Sequence, residues 1–385
     1  MVVRVHVDPD LLRWAVERVG WDDDVVNRKF PKYAAWLGGE EEPTLKQLQK
    51  FAKAAHAPLG SLFMEHPLVE VVPIPDFRTL GNAGVVRPSP DLLDAIYICQ
   101  NRQEWYRAYA TVHGYIPLPF VGAANTQEPV EPVADHIRRT INFNLDARGG
   151  FANWEAALRQ LIDRIEDSGV LVMISGIVGA NTHRKLDPNE FRGFALADPL
   201  APLIFVNGSD TKAAQIFTLI HELAHIWLGE SALSDALMTS TVGNAHELWC
   251  NRVAAEVLLP LATLRNEYRG EATVQELERL ARFYRVSTLV VLKRLFDGQY
   301  LDWDDYRERY GLELARVMAI LAQRQSGEGG GNYYYTQPIR LSRQFARAVI
   351  VDTFEGGTQY RDAYRLLGTA KPETFENLAT ELGVA

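Results

Sequence analysis

The string His221-Glu222-Leu223-Ala224-His225, set in the apolar run from Ile216 to Gly229, constrains this chain more than any other stretch. Two histidines four residues apart lie one turn apart on a helix, so both imidazoles leave the same face. Two neutral imidazoles at that spacing can take adjacent corners of a tetrahedral zinc site. Glu222 stands beside the first of them and is directed at the open fourth corner, where a carboxylate can take a proton from water. This is the pattern of a zinc hydrolase, most often a peptidase. The competing reading is an ordinary histidine pair on a helix. The apolar flanks weigh against it, because they would bury the two imidazoles and the carboxylate. Such groups need partners when buried, and a metal supplies them.

A zinc site of this kind needs a third protein ligand. Residues 244–260 read as a second helix, ended before Pro260. Leu248, Val253, Ala254, Val257 and Leu258 follow roughly helical spacing along it. Four side chains there could reach a metal: His246, Glu247, Cys250 and Glu256. A thiolate suits a structural site, whereas a carboxylate suits the catalytic pattern of two His and one Glu. Spacing alone does not choose. Glu247 is the simplest candidate and Glu256 the next, although Glu256 could instead pair with Arg252 one turn earlier.

These two stretches together, HELAH followed by ExxCN-x-x-AA-x-x-LLP, resemble the ImmA/IrrE metallopeptidases, a set of bacterial and phage regulators. The resemblance covers roughly residues 154–298. It implies zinc (Zn2+) held by His221, His225 and Glu247, with Glu222 as the general base; Asn251, Ala254, Ala255, Leu258, Leu259 and Pro260 fall in register. It also implies a protein substrate, a helix-turn-helix repressor whose cleavage relieves repression of nearby genes.

The chain before the motif fits such a core. Trp154, Ala157, Leu158, Leu161, Ile162 and Ile165 give a helix over 154–167, with Gly169 as a stop. Residues 170–174 form a continuous apolar run and predict a buried strand. Residues 192–197 and 202–207 predict a hairpin, and Ser209 or Asp210 is placed to cap the motif helix. An edge strand beside such a cleft can bind an extended peptide through main-chain hydrogen bonds.

Composition bears on location and partners. The N-terminus lacks a signal-peptide pattern, since Arg4 and His6 interrupt residues 2–7, and no apolar run is long enough to span a bilayer. Two cysteines, Cys99 and Cys250, give no disulfide framework, so a reducing cytoplasm is expected and no membrane partner. A net charge of −9 argues against broad nucleic-acid binding by the whole chain, though a local basic face is compatible with it.

The first 65 residues read as short helices over 8–19, 22–30, 31–37 and 43–54, the last capped by Thr44. With the following residues 57–63, this order is similar to the Cro/C1-type (XRE) helix-turn-helix fold. That resemblance implies a DNA operator as partner, with Arg28, Lys29, Lys32 and Tyr33 as the contacts. The stretch departs from the family where bases are read. It is short, lacks the usual Gly turn, and ends in Glu40-Glu41-Glu42, which would repel phosphate. The alternative is a protein-docking or homodimerisation module.

Residues 66–88 are Pro-rich and read as a linker that can lie on a neighbouring surface, even in the cleft. A long helix follows from Ser89-Pro90-Asp91; its Tyr97, Trp105, Tyr106 and Tyr109 are expected to pack between domains rather than read bases. Residues 115–150 carry no functional signal. After Pro260, two helices flanking Arg285-Val286-Ser287 form a second helix-turn-helix-like pair. Its basic strip of Arg279, Arg282, Arg285, Lys293 and Arg294 suits either DNA contact or a structural cap. Residues 326–332 form a flexible break, and Tyr333-Tyr334-Tyr335 suit a strand or a partner contact.

The sequence therefore predicts a mostly helical α+β fold. An XRE-like helical domain (1–65) is followed by a linker and helical connector (66–150), a small-sheet, zincin-like metallopeptidase core (151–300) and a helical C-terminal region (301–385). The expected function is a zinc-dependent endopeptidase acting on a regulatory protein in transcriptional, stress or toxin regulation. The alternative is an antitoxin or autoregulator that binds a PIN-type nuclease toxin or DNA, with a latent or structural zinc site.

Overall fold

A computed structural model of the chain describes residues 3–77, 88–234, 244–324, 339–369 and 371–384. Part of the expected linker, the Gly-rich break and the Tyr333–Tyr335 run lie outside these residues. Packing divides the chain into two compact units, Met1–Pro73 with Val86–Asp94, and Ile74–Val85 with Ala95–Ala385.

The first unit contains α1 (Pro9–Arg18), α2 (Asp23–Lys29), α3 (Tyr33–Leu37), α4 (Leu45–Ala54) and a short 3-10 turn at Leu59–Phe63. Side-chain caps start three of the helices. Asp8 accepts from the Asp10 N–H, Asp22 from the Val25 N–H, and Thr44 forms a reciprocal capping box with Gln47. Leu11, Leu12, Val26, Leu48, Phe51 and Leu62 are fully buried and form the centre of its core. The Arg18 guanidinium, itself buried, pairs with Glu70 at 2.8 Å and ties the segment after the 3-10 turn back to α1.

Helix α5 (Pro90–Val112), which belongs to the second unit from Ala95 on, starts where the Ser89 hydroxyl accepts the Leu92 N–H. It is followed by α6 (Val130–Thr140) and α7 (Trp154–Asp167). Four strands, β1 (Leu171–Ser175), β4 (Gly193–Leu196), β5 (Leu203–Asn207) and β6 (Ala232–Ser234), form one sheet in the order β1-β5-β4-β6. β1 runs parallel to β5, whereas β4 is antiparallel to both β5 and β6. Every residue of these strands is buried, which explains apolar runs in place of alternation. A small hairpin, β2 (Ile177–Val178) and β3 (Asn181–Lys185), stands apart.

The motif helix α8 (Lys212–Leu228) packs on β4 and β5, and α9 (Ala245–Leu258) packs on α8. Thr211, rather than Ser209 or Asp210, caps α8 by accepting the Ala214 N–H at 3.1 Å. Ser209 instead donates its hydroxyl hydrogen to the Gly176 carbonyl. At the other end Gly229 takes a left-handed conformation, and a Cβ there would lie 2.9 Å from the Gly122 Cα. Gly122 and Ala124 donate their N–H groups to the Ile226 and Trp227 carbonyls in the last turn of the helix, the Ile226 carbonyl also accepting the Gly229 N–H. Residues 115–150, silent in the sequence, thus anchor the motif helix, and α6 packs on α9.

Four helices follow: α10 (Leu261–Glu267), α11 (Val274–Tyr284), α12 (Thr288–Asp297) and α13 (Trp303–Arg324). Three more, Arg343–Phe354, Tyr360–Leu367 and Pro372–Glu381, end the chain. Trp105 and Tyr106 of α5 pack against the C-terminal segments, whereas Tyr97 is exposed. Trp105 donates to the Thr358 hydroxyl at 3.0 Å, and the Tyr106 hydroxyl accepts from Gln344 at 2.7 Å. Among the described residues, no helix is long and apolar enough to cross a membrane.

Candidate metal centre

α8 is buried on every side from Gln215 to Trp227, enclosed by the core. His221, Glu222 and His225 are completely buried on it, at 0% exposure. α9 begins at Asn244, whose side chain accepts the His246 N–H, and Glu247 lies in its first turn with 3% exposure. Packing of α9 on α8 brings that carboxylate to the two imidazoles.

The geometry is tight. His221 Nε2 lies 3.2 Å from Glu247 Oε2, and His225 Nε2 lies 3.0 Å from Glu247 Oε1. The two Nε2 atoms are 3.2 Å apart. Ligand atoms on a tetrahedral zinc ion, each bonded at its usual length, stand roughly 3.3 Å from one another. The separations therefore match the edges of a zinc coordination tetrahedron. Ser234, from β6, donates its hydroxyl hydrogen to Glu247 Oε1 at 3.2 Å.

Several buried atoms here have no protein partner: Nδ1 of His221, Nδ1 of His225 and both carboxylate oxygens of Glu222. Buried polar atoms are ordinarily hydrogen-bonded, so a cluster of unpaired ones marks a site that expects another occupant. Burial, and then the nearby Glu247, push the Glu222 carboxyl well above the ordinary carboxylate range. Burial would likewise raise Glu247, but the His221 and His225 imidazoles outweigh it and hold that carboxyl well below the ordinary range. Burial lowers His225, with His221 adding to the effect, which favours the neutral ring a metal requires. Two imidazole nitrogens and one carboxylate, converging in the interior, fit zinc. The same three residues form the one group among the described residues with the spacing to hold a metal ion.

Backbone as well as side chains shape this site. Gly193 on β4 lies against Glu222, and a Cβ there would be 2.8 Å from Glu222 Oε1 and 2.7 Å from Thr218 Cγ2. Phe77 lies on the other side, its ring centroid 6.2 Å from that of His225 and 6.1 Å from that of His246.

The remaining third-ligand candidates have other roles. His246 Nδ1 pairs with Glu230, Cys250 is a buried free thiol raised well above its ordinary pKa by burial, and Glu256 pairs with Arg294 instead of Arg252. Sequence reasoning missed Ser234, Gly193 and Phe77. The first two lie in stretches too short to carry a period, and Phe77 lies in a Pro-rich segment without a motif.

The expected DNA contacts of the first unit fare unequally. Arg28 is exposed, Lys29 is exposed but sits 4.7 Å over the Trp21 ring, and Lys32 pairs with Glu41 at 2.8 Å. Tyr33 is a correction. It is buried and stacked on Phe51, with burial pushing its hydroxyl up to about 12, so it cannot reach a phosphate or a base. The basic strip of α11 and α12 is also engaged within the fold. Arg279 pairs with Glu276, Arg282 with Glu278, Lys293 with Asp297 and Arg294 with Glu256, while Arg285 donates to the Phe151 carbonyl and covers the Trp154 ring. Of the two readings of that strip, the structural cap is the one these contacts favour.

Comparison with known families places a match on this site. Residues 165–296 match the IrrE N-terminal-like domain, a metallopeptidase family (Peptidase_M78). The match runs from the end of α7 through the sheet, α8 and α9 to α12. Residues 341–381 match a domain of unknown function (DUF8813), which covers the three last helices. Neither match touches residues 1–65. No curated protein and no solved structure matches the chain.

Proposed function

We propose that the chain is a zinc-dependent endopeptidase that cuts a regulatory protein, joined to a helix-turn-helix module in residues 1–65 that brings it to its place of action. The observation that carries this reading is the convergence of His221, His225 and Glu247 at tetrahedral edge distances in the interior. Similarity of residues 165–296 to a metallopeptidase family supports it.

In this reading His221, His225 and Glu247 hold zinc. Bound there, the metal supplies Lewis acidity, which activates water and polarises the scissile carbonyl. Glu222 accepts the water's proton and delivers it to the leaving amine. Its buried, unpaired carboxylate, with its raised proton affinity, suits a group that must hold a proton between two steps. The Ser234 hydroxyl orients Glu247 by donating to Oε1, as groups behind a metal ligand commonly do.

The test is metal content by elemental analysis of protein purified without added metal, for the wild type, His221→Ala and Glu247→Ala. About one zinc per chain in the wild type, lost in both variants, is expected. A wild type that holds no zinc and takes none up sinks the peptidase reading and leaves the partner-binding antitoxin reading in its place.

A further inference from the structure

β6 is the edge of the sheet next to the metal centre, and the second unit's own first residues lie on it. The Leu233 N–H donates to the Pro75 carbonyl at 2.9 Å, and the Phe77 N–H donates to the Leu233 carbonyl at 3.0 Å. Asp76 is thereby paired with Leu233 in parallel register. Both main-chain groups that Leu233 turns outward from the sheet are taken. A sheet edge with free groups accepts an extended peptide by strand addition. This edge is already filled.

Alternation along a strand fixes which side chains meet the site. Asp76 is in register with Leu233, so Pro75 and Phe77 share the face of Ala232 and Ser234. Ser234 is the residue whose hydroxyl reaches Glu247, so this face is the metal-centre face. Phe77 accordingly lies with its ring against both His225 and His246. Ile74, one step earlier, is buried. A segment that pairs with the sheet edge through its backbone and places one aromatic ring beside a metal-ligand candidate has the two features of a bound peptide substrate: main-chain pairing and a seated side chain.

We infer that residues Ile74–Phe77 act as a built-in pseudosubstrate, which keeps the peptidase latent, and that the peptides the site accepts carry an aromatic side chain where Phe77 sits. The inference rests on the peptidase reading and adds the regulation and the substrate class of the same site. A segment tethered to its own site is present at an effective concentration in the millimolar range, so it outcompetes a free peptide of the same sequence at ordinary concentrations. Activation then consists of drawing residues 74–77 off β6.

The test uses the full-length protein and two variants, Phe77→Ala and Phe77→Pro. The second removes the N–H that pairs with Leu233 as well as the ring. The probe is a fluorescent peptide of residues 71–77, Val-Val-Pro-Ile-Pro-Asp-Phe, and its Phe77→Ala counterpart; zinc content is measured on the same preparations. Expected are faster amide exchange at Leu233 in Phe77→Pro and peptide affinity at least tenfold tighter in both variants than in the wild type. The aromatic peptide should bind more tightly than its alanine counterpart. Equal affinity of the wild type and both variants for the peptide overturns the inference, as does equal affinity for the two peptides. Because anisotropy and exchange read the strand and not turnover, a loss of the zinc reading shows separately, in the metal content.

Discussion

At the residue scale, the proposed function divides two tasks, holding a metal and moving a proton, between different side chains. Glu222 has no partner for either oxygen and touches none of the three converging ligand atoms through a hydrogen bond. Glu222→Gln keeps the shape and removes the proton acceptor. It should retain zinc at the wild-type level while turnover of a cleaved partner falls by about a hundredfold or more. Normal turnover in that variant would falsify the mechanism. Gly193 gives a second expectation from sterics alone. Its missing Cβ is the space that Glu222, Thr218 and the Phe205 carbonyl share. Gly193→Ala should cost about 1–3 kcal/mol through overpacking and should displace Glu222, so thermal stability and turnover both fall while zinc content holds. Unchanged melting behaviour would show that β4 yields more easily than its burial suggests.

At the scale of elements, helix α7 is joined to the C-terminal helices by a buried carboxyl. The Ser342 hydroxyl donates to Glu166, whose pKa burial pushes up to about 7 from an ordinary 4.5. The shift is raised, so the folded chain keeps a proton that the unfolded chain has already released between those two values. Stability should therefore fall as pH rises through that window and level off above it, by roughly 3 kcal/mol in total. Glu166→Gln keeps the hydrogen-bonding shape without the charge and should flatten the slope. Thermal midpoints of wild type and variant at about pH 5 and about pH 8 check this, and parallel slopes would place the titration elsewhere. The helix termini show how elements are fixed by few groups. Thr211 and Gly229 bound α8, and the Gly122 and Ala124 N–H groups close its last turn. His225 lies in that final turn.

At the scale of the whole molecule, the second unit encloses a polar cluster in which Glu222 and the Nδ1 atoms of His221 and His225 have no hydrogen-bond partner. A ligand that binds the folded chain and not the unfolded one stabilises it by mass action, about 4 kcal/mol at a thousand times its dissociation constant. Chelation should therefore lower the melting temperature of the wild type, and added zinc should restore it. Glu247→Ala should respond to neither. A wild type indifferent to chelator and zinc alike would mean that the cluster of unpaired buried atoms has no metal to complete it. The contacts of the basic residues also bear on this scale. Arg279, Lys293 and Arg294 are held by carboxylates, so α11 and α12 present no free basic strip of these residues.

The sequence alone determined the local chemistry. His221 and His225 are bound to one helix face by a period that any helix imposes, with Glu222 beside the first, and the apolar flanks forced that helix inside. The buried strand over 170–174, the hairpin and the Thr44 cap of α4 are equally local, and were legible for that reason. The third member of the cluster was legible as a set of four candidates. What selected Glu247 was the packing of α9 on α8, which turned His246 to Glu230 and Glu256 to Arg294. The tertiary structure alone decided that Tyr33 is core, that Gly193 leaves room for Glu222, and that Phe77 from a Pro-rich segment sits against His225. Each of these joins residues far apart in the chain. A period or a cap is written in neighbouring residues, whereas a contact between distant segments depends on how all the elements share one interior.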